Sequence, residues 1–372
     1  MKFSLLKFTN KSTIRAFIRK NKINKVSSIY FINYHSYLVV QHDVIIALNI
    51  QQLNLCENLS LLEQKIYDWA VSEILQSVDF IRFEAQSSFG ENNRYIEINQ
   101  NKIVRSFEYL TDVFAILNYT ADSFSDGSKY QSIEALCNQA ELQINHGAKI
   151  LDLGVASTNS NSRPMVAIDE INKLRLILDK LIVVKNKYGV KLSIDTYHQE
   201  TIIWLMDQDV DIINDVSGAL DVNTIKSLVA SGKKYIAMHS LAVPATKDIN
   251  IPVELNPVNY IYSWMENKVS VFEQNNIDLD YIILDPGIGF GTIPVQAWFI
   301  LKNWDKFYNL PCELLVGHSR KSFFNHITNK NANERDLETA LVGTHFLNKI
   351  DYLRLHDIKQ LNELYRVNQQ LA

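Results

Sequence analysis

In the C-terminal two thirds of the chain, eight short apolar runs each stop at a glycine or at a polar or charged residue, and stretches with helical spacing lie between them. The clearest run is residues 281–291, Tyr-Ile-Ile-Leu-Asp-Pro-Gly-Ile-Gly-Phe-Gly. An unbroken apolar run suits a strand buried on both faces, as in a parallel sheet. Pro286, Gly287, Gly289 and Gly291 then force a loop whose backbone can approach a ligand. Asp285 is therefore expected at the carboxyl end of a buried strand. A single Asp-Pro-Gly is as often a plain turn, so the weight lies in the recurrence.

The same grammar returns at 113–118, ending in Asn118, and at 148–153, ending before Gly154. Residues 191–194 stop at Asp195, 211–213 at Asn214, 235–238 at His239 and 352–355 at His356, while 314–316 run into Gly-His-Ser-Arg-Lys at 317–321. Helical spacing occupies 133–144, 168–184, 199–206, 222–229, 257–272, 295–308 and 336–347. Strands alternating with helices predict parallel βαβ units. Eight of them over roughly 260 residues predict an α/β fold of the closed (β/α)8 TIM-barrel type, whose chemistry sits where the strands end. That mouth should gather Asn118, Asp195, Asn214, Asp285, Lys321, Arg354 and His356. One polar residue at a strand end is usually structural, but seven converging on one rim make a candidate site.

Residues 1–108 have a different texture, with no proline and one glycine, Gly90. Residues 28–40, 44–50, 80–85 and 95–98 read as strands. Ser60 with Glu63 three residues on has capping-box spacing and opens a helix with the stripe Leu62, Ile66, Trp69, Ala70 and Leu75. The expected organisation is a small α/β N-terminal domain over 1–108, carrying no catalytic constellation, and a barrel over 109–372.

Composition narrows the function. The chain has 372 residues, 47% apolar and 21% charged, ordinary for a soluble protein. A net charge of −4 gives no basic footprint, so nucleic acid is excluded as the main partner. No run reaches the apolar length of a membrane span. Cys56, Cys137 and Cys312 are isolated and read as reduced thiols in a cytoplasm-like compartment. Lys2, Lys7, Lys11, Arg15, Arg19, Lys20, Lys22 and Lys25 precede the first acid, Asp43. Such a leader opens an organelle-targeted alternative, set against a solvated basic helix, which the excess of lysine over arginine favours.

Seven stretches carry a family resemblance: Ile116-Leu-Asn-Tyr-Thr-Ala-Asp-Ser-Phe-Ser-Asp-Gly127, Gly147-Ala-Lys-Ile-Leu-Asp-Leu-Gly154, Ser193-Ile-Asp-Thr-Tyr197, Ile212-Ile-Asn-Asp-Val-Ser-Gly218, Ile283-Leu-Asp-Pro-Gly-Ile-Gly-Phe-Gly291, Gly317-His-Ser-Arg-Lys-Ser-Phe323 and Leu353-Arg-Leu-His-Asp357. In this order the barrel resembles dihydropteroate synthase; residues 1–108 lie outside the resemblance. It implies condensation of 6-hydroxymethyl-7,8-dihydropterin diphosphate with p-aminobenzoate, giving dihydropteroate and pyrophosphate.

On that resemblance, Asp195, Asn214, Met238, Asp285, Phe290, Lys321 and Arg354 would bind the pterin. The residue types suit it, because an amino-pyrimidinone edge is read by carboxylate and amide groups. For Met238 and Phe290 the plain reading is core packing. Asp195, Lys321 and Arg354 would be catalytic, with Asp195 beside the pterin methylene cation. Asn118, Thr158, Arg163, Arg354 and His356 would hold the diphosphate, Arg354 and His356 supplying positive charge. Phe124, Thr158, Phe290 and Ser319 would face p-aminobenzoate. The resemblance also implies Mg2+ at Asn118 and a homodimer.

The pattern breaks in three places. Loop one reads Thr120-Ala121-Asp122 instead of Thr-Pro-Asp. Loop two reads Ala156-Ser-Thr-Asn-Ser160, with Arg163-Pro164 displaced by four residues; this is similar to the sulfonamide-insensitive branch and implies altered sulfonamide binding. His318 replaces a small residue, where it would crowd or polarise the arylamine pocket. Two other functions keep the same pterin-reading barrel: a methyltransferase taking a methyl group from a folate, and a pterin-binding module without turnover. Ser319-Arg320-Lys321 and Arg354-x-His356 favour the synthase over the first, and the altered loop two keeps the second open.

Overall fold

The computed structural model describes residues 2–4, 28–33, 36–41, 44–47, 51–54, 79–82, 96–99, 102–105, 111–119, 133–156, 165–244, 246, 248–347 and 349–371. The chain divides into two compact units, Met1–Leu110 and Thr111–Ala372.

In the first unit the strands pair antiparallel. Ser28–Asn33, Ser36–Gln41 and Val44–Ala47 form one three-stranded sheet, and Asp79–Arg82, Ile96–Asn99 and Lys102–Arg105 form another. Lys2–Ser4 pairs with Gln51–Asn54. The strands at 2–4 and 102–105 were not legible from their pattern, since Lys-Phe-Ser and Lys-Ile-Val-Arg are too short to show a period. The helix expected from Ser60 lies outside the described residues.

The second unit is a closed barrel of eight parallel strands: β1 Asp112–Asn118, β2 Ile150–Gly154, β3 Lys191–Asp195, β4 Ile212–Asp215, β5 Lys234–Met238, β6 Ile282–Asp285, β7 Glu313–Val316 and β8 Tyr352–Leu355. Around it run α1 Ile133–Asn145, α2 Ala167–Tyr188, α3 Gln199–Leu205, α4 Val222–Ala230, α5 Pro257–Gln274, α6 Pro294–Lys302, α7 Asp336–Phe346 and α8 Lys359–Leu371. The expected (β/α)8 architecture is present. Residues 295–308 are not one helix, however. Asn303 leaves helical geometry at φ −107°, ψ 37° and its side-chain amide donates to Phe299 O at 2.8 Å, after which a 3-10 turn runs over Trp304–Asn309.

Side chains alternate across each strand, so every second residue enters the barrel. Phe114, Ile150, Ile212, Ile236, Ile283, Leu315 and Tyr352 meet there as one apolar layer drawn from seven strands. Near the strand starts, Lys234 pairs with Glu313, whose Oε2 also accepts from Tyr352 Oη at 3.0 Å. Above the apolar layer, the same alternation delivers polar groups.

Candidate active site

Strand register aligns the rim. Gly154 stands opposite both Asn118 and Asp195, Asp195 opposite Asn214, and Met238 opposite Asp285. Alternation then decides which neighbours face inward. Asn214 enters the barrel, where its Nδ2 donates to Asp152 Oδ2 at 3.3 Å, although β2 and β4 are not adjacent strands. Asp215 faces the helices. Its Oδ1 accepts from Ser217 N (2.9 Å) and its Oδ2 from Tyr235 Oη (2.6 Å), which fixes the turn after β4.

The centre of the site is an ion-pair cluster that crosses the barrel. Arg354 on β8 donates from Nε to Asp152 Oδ2 at 2.5 Å and from Nη2 to Asp195 Oδ2 at 2.6 Å. Two of its five N–H donors are thus committed to aspartates. Asp152 is completely buried, and its Oδ1 has no protein partner. It belongs to the constellation, and the sequence reading passed over it. The available signal was its position between Ile150 and Gly154, two residues from each, which gives all three one facing in a barrel strand.

Asp285 ends β6 and is buried, with its Oδ1 accepting from Gly287 N at 2.8 Å. Gly287 has φ +66°, and a Cβ there would lie 1.8 Å from His239 O, so only glycine makes this turn. Lys321 follows β7 and places its ammonium 4.0 Å from the Phe290 ring centroid. Gly289 leaves room for it, since a Cβ at that position would sit 3.3 Å from Lys321 Cδ. Phe290, Met238 and Val216 form a small apolar cluster, with Tyr197 and Val243 packed against it. Met238 and Phe290 therefore are packed side chains, and together they make an apolar surface beside Lys321.

Burial sets the charge state. Burial, reinforced by Asp152 and Glu170, outweighs the pull of Arg354 and pushes Asp195 up to about 7. Burial likewise pushes Asp285 up to about 6, against the Gly287 amide and Lys321. Lys321 is drawn down to about 8, first by desolvation and then by Arg354. Arg354 stays charged, held by the aspartates around it.

His356 corrects an expectation. Burial, with Arg320, Arg354 and Lys321 close by, takes its imidazole well below the ordinary histidine range. As a neutral imidazole it carries a single N–H donor and no positive charge. Its Nδ1 lies 2.9 Å from Ser319 Oγ, and the His356 amide donates to the same Oγ at 3.1 Å. His318 corrects another. Its ring is fully buried under α7, with Nε2 2.9 Å from Thr339 O and Phe346 beside it, so it packs into the helix layer and does not crowd the mouth.

The structure thus brings together Asp195, Asn214, Asp285, Lys321 and Arg354, with Met238 and Phe290 as apolar neighbours and Ser319 paired to His356. Asn118 is exposed at the end of β1, its Oδ1 over Gly154. Phe124, Thr158 and Arg163 lie outside the described residues. Glu170, at the start of α2, was also missed. It is fully buried, and its Oε2 accepts from Thr196 Oγ1 at 2.6 Å, directly after Asp195.

A barrel mouth with three acids, an amide, a lysine and an arginine beside an apolar surface suits an enzyme that reads a flat heterocycle. The family model of pterin binding enzymes matches residues 114–356. Among known relatives, dihydropteroate synthase type-3 of Escherichia coli is 32% identical over 71% of this chain and all of its own. The dihydropteroate synthase of Streptococcus pyogenes is 31% identical over 70% of this chain and 95% of its own. The crystal structure of dihydropteroate synthase from Anaplasma phagocytophilum, with bound 6-hydroxymethylpterin-monophosphate, is 31% identical and superposes with a TM-score of 0.62, covering 71% of this chain and 100% of that one. The chain belongs to the dihydropteroate synthase family of transferases.

Proposed function

We infer that this chain condenses 6-hydroxymethyl-7,8-dihydropterin diphosphate with p-aminobenzoate, and that each rim residue has a definable part in it. The observation that carries the reading is the cross-barrel cluster of Arg354 with Asp152 and Asp195, set beside Asp285, Asn214 and Lys321.

The N–H donors of the pterin edge would meet the Asp285 carboxylate and the Asn214 amide, while Lys321 would donate to a ring acceptor. Met238 and Phe290 would line the faces of the ring. When the methylene C–O bond breaks, the electron pair leaves with diphosphate and the pterin methylene becomes a cation. Ionised Asp195 would stabilise that cation. The free amine of p-aminobenzoate would then form the C–N bond and lose its proton to solvent. The N–H groups of Arg354 not engaged by the aspartates, together with a donor from neutral His356, would hold the departing anion. Charge prearranged in a low-dielectric pocket costs little reorganisation at the moment of reaction.

The donor set at Asn118 fits magnesium in a limited sense. Its amide oxygen is a hard ligand on the rim, and Mg2+ commonly takes one or two protein oxygens and completes its shell with water and substrate phosphates. Among the described residues no cluster of three His, Cys, Asp or Glu could hold a metal by itself. Bound there, the ion would neutralise diphosphate charge.

A second copy of the chain is the supported partner. Val295 and Phe299 on α6, and Leu337 and Leu341 on α7, are four residues apart and exposed, leaving an apolar stripe on each of two helices of the outer ring. No helix among the described residues is long and apolar enough to cross a membrane, and the scattered cysteines support a cytoplasmic setting.

Pyrophosphate release tests the activity. It should require both substrates and fall on magnesium chelation. Release without p-aminobenzoate would indicate hydrolysis, and none with both substrates would leave a binding module.

A further inference from the structure

We propose that the first turn of α7 positions the Lys321 loop: Arg335 and Asp336 hold Arg320 in a left-handed backbone conformation and so direct Ser319 and Lys321 into the mouth. The inference deepens the reading above and rests on Lys321 as a pterin contact.

Arg320 has φ +58°, a conformation disfavoured for a residue with a Cβ. Three contacts over-determine it. Its guanidinium forks onto Asp336, Nε to Oδ1 at 2.6 Å and Nη2 to Oδ2 at 2.7 Å. Its amide donates to Thr339 Oγ1 at 3.1 Å. Its carbonyl accepts from Arg335 Nη1 at 3.0 Å. Two residues earlier, His318 meets Thr339 O.

Arg335 is buried, and all five of its N–H donors end on the segment it holds. Nη1 serves the carbonyls of Arg320 and Lys321, both at 3.0 Å. Nη2 serves Lys330 O at 2.7 Å and Asn325 Oδ1 at 2.5 Å, and Nε serves Lys330 O at 3.0 Å. A guanidinium can bridge acceptors spread this widely because its donors form a rigid planar fork; an ammonium, donating from one point, cannot. At the start of the same segment stand the working groups, Lys321 over Phe290 and Ser319 on His356. The turn at Arg320 is where the chain passes from one to the other. Arg335 touches no reacting atom in this scheme, so it is a positioning residue.

The test is Arg335→Lys, with Asp336→Asn as a second variant that loosens the loop from the other contact. Both are compared with Lys321→Met, in the full chain. Arg335→Lys should lower kcat/KM for the pterin diphosphate about 100-fold, the scale of a 1 Å misplacement. The alkaline limb expected from Lys321, whose ammonium desolvation and then Arg354 draw down to about 8, should move to higher pH as that ammonium relaxes toward water. In the Lys321→Met background, Arg335→Lys should cost less than about 3-fold further in kcat/KM for the pterin diphosphate, because the two act through one contact.

A limb that stays in place, or an equal loss in both backgrounds, would reduce Arg335 to a fold residue whatever happens to the melting temperature. Normal pterin diphosphate affinity in Lys321→Met would instead sink the reading of Lys321 itself. If Arg335→Lys fails to fold, Asp336→Asn carries the same two readouts.

Discussion

Asp195→Asn should lower kcat about 10²–10³-fold, roughly 3–4 kcal/mol of transition-state stabilisation, with the fold intact. The substitution keeps the size and the acceptor oxygen facing Arg354 but removes the negative charge from beside the developing cation. Arg354 retains Asp152 as counter-ion. The sign of the stability effect follows from burial. The folded-state pKa of Asp195 is raised from 3.8 to about 7. Its contribution to stability is therefore fully present below pH 3.8 and is lost as pH rises through about 7. At pH 8 its ionised form is a cost that asparagine removes, so the melting temperature at that pH should not fall. Activity has the opposite dependence, since the ionised form is the useful one. The native acid limb near pH 7 should flatten in the variant, and stopped-time pyrophosphate assays across pH would show it. Activity within 3-fold of native would remove Asp195 from the cation-stabilising role.

Arg354→Leu has the larger structural consequence. It leaves Asp152 and Asp195 facing each other inside the barrel with no cation bonded to either. Removing one partner from a buried ion pair typically costs about 3–5 kcal/mol, because the remaining charge stays desolvated. The variant can evade much of that cost by protonating the carboxylates. Arg354 pulls the Asp195 pKa down, so its loss lets that pKa rise further above 7. The deficit in urea unfolding should then be large at pH 8 and much smaller at pH 5. An equal deficit at the two pH values would mean that packing, not charge, is what Arg354 contributes.

How much of this was legible in the sequence depends on which rule each residue obeys. The barrel was legible because buried parallel strands are continuous apolar runs, and eight of them with helices between leave few alternatives. Asp195, Asn214 and Asp285 were legible because each stops such a run. Asp152 obeys a different rule. It sits inside its run, flanked by leucines, and becomes visible only when the barrel interior is assigned to every second residue and Arg354 arrives from a strand that is not its neighbour in the sheet. Alternation also separates Asn214 from Asp215, which a linear reading joins as one polar pair.

His318 and His356 show the limit for side-chain chemistry. Each stands at or just past a strand end, yet one turns under α7 and the other is held neutral by burial and three nearby cations. Neither outcome is local. Helix α8 went unread because its polar surface hides a narrow buried stripe, Leu361 and Tyr365. Arg335 was invisible for the same kind of reason, since its four acceptors, Arg320 O, Lys321 O, Asn325 Oδ1 and Lys330 O, belong to a segment whose path no local pattern encodes.

The measurement that bears most directly on the central claim is a crystal structure of this chain with a 6-hydroxymethylpterin bound. The pterin edge should lie within hydrogen-bond distance of the Asp285 carboxylate, the Asn214 amide and the Lys321 ammonium, with Asp195 beside the exocyclic methylene and Arg354 still joined to Asp152. A pterin seated elsewhere, or one whose ring edge meets none of Asn214, Asp285 and Lys321, would contradict the assignment of this rim as the site of condensation.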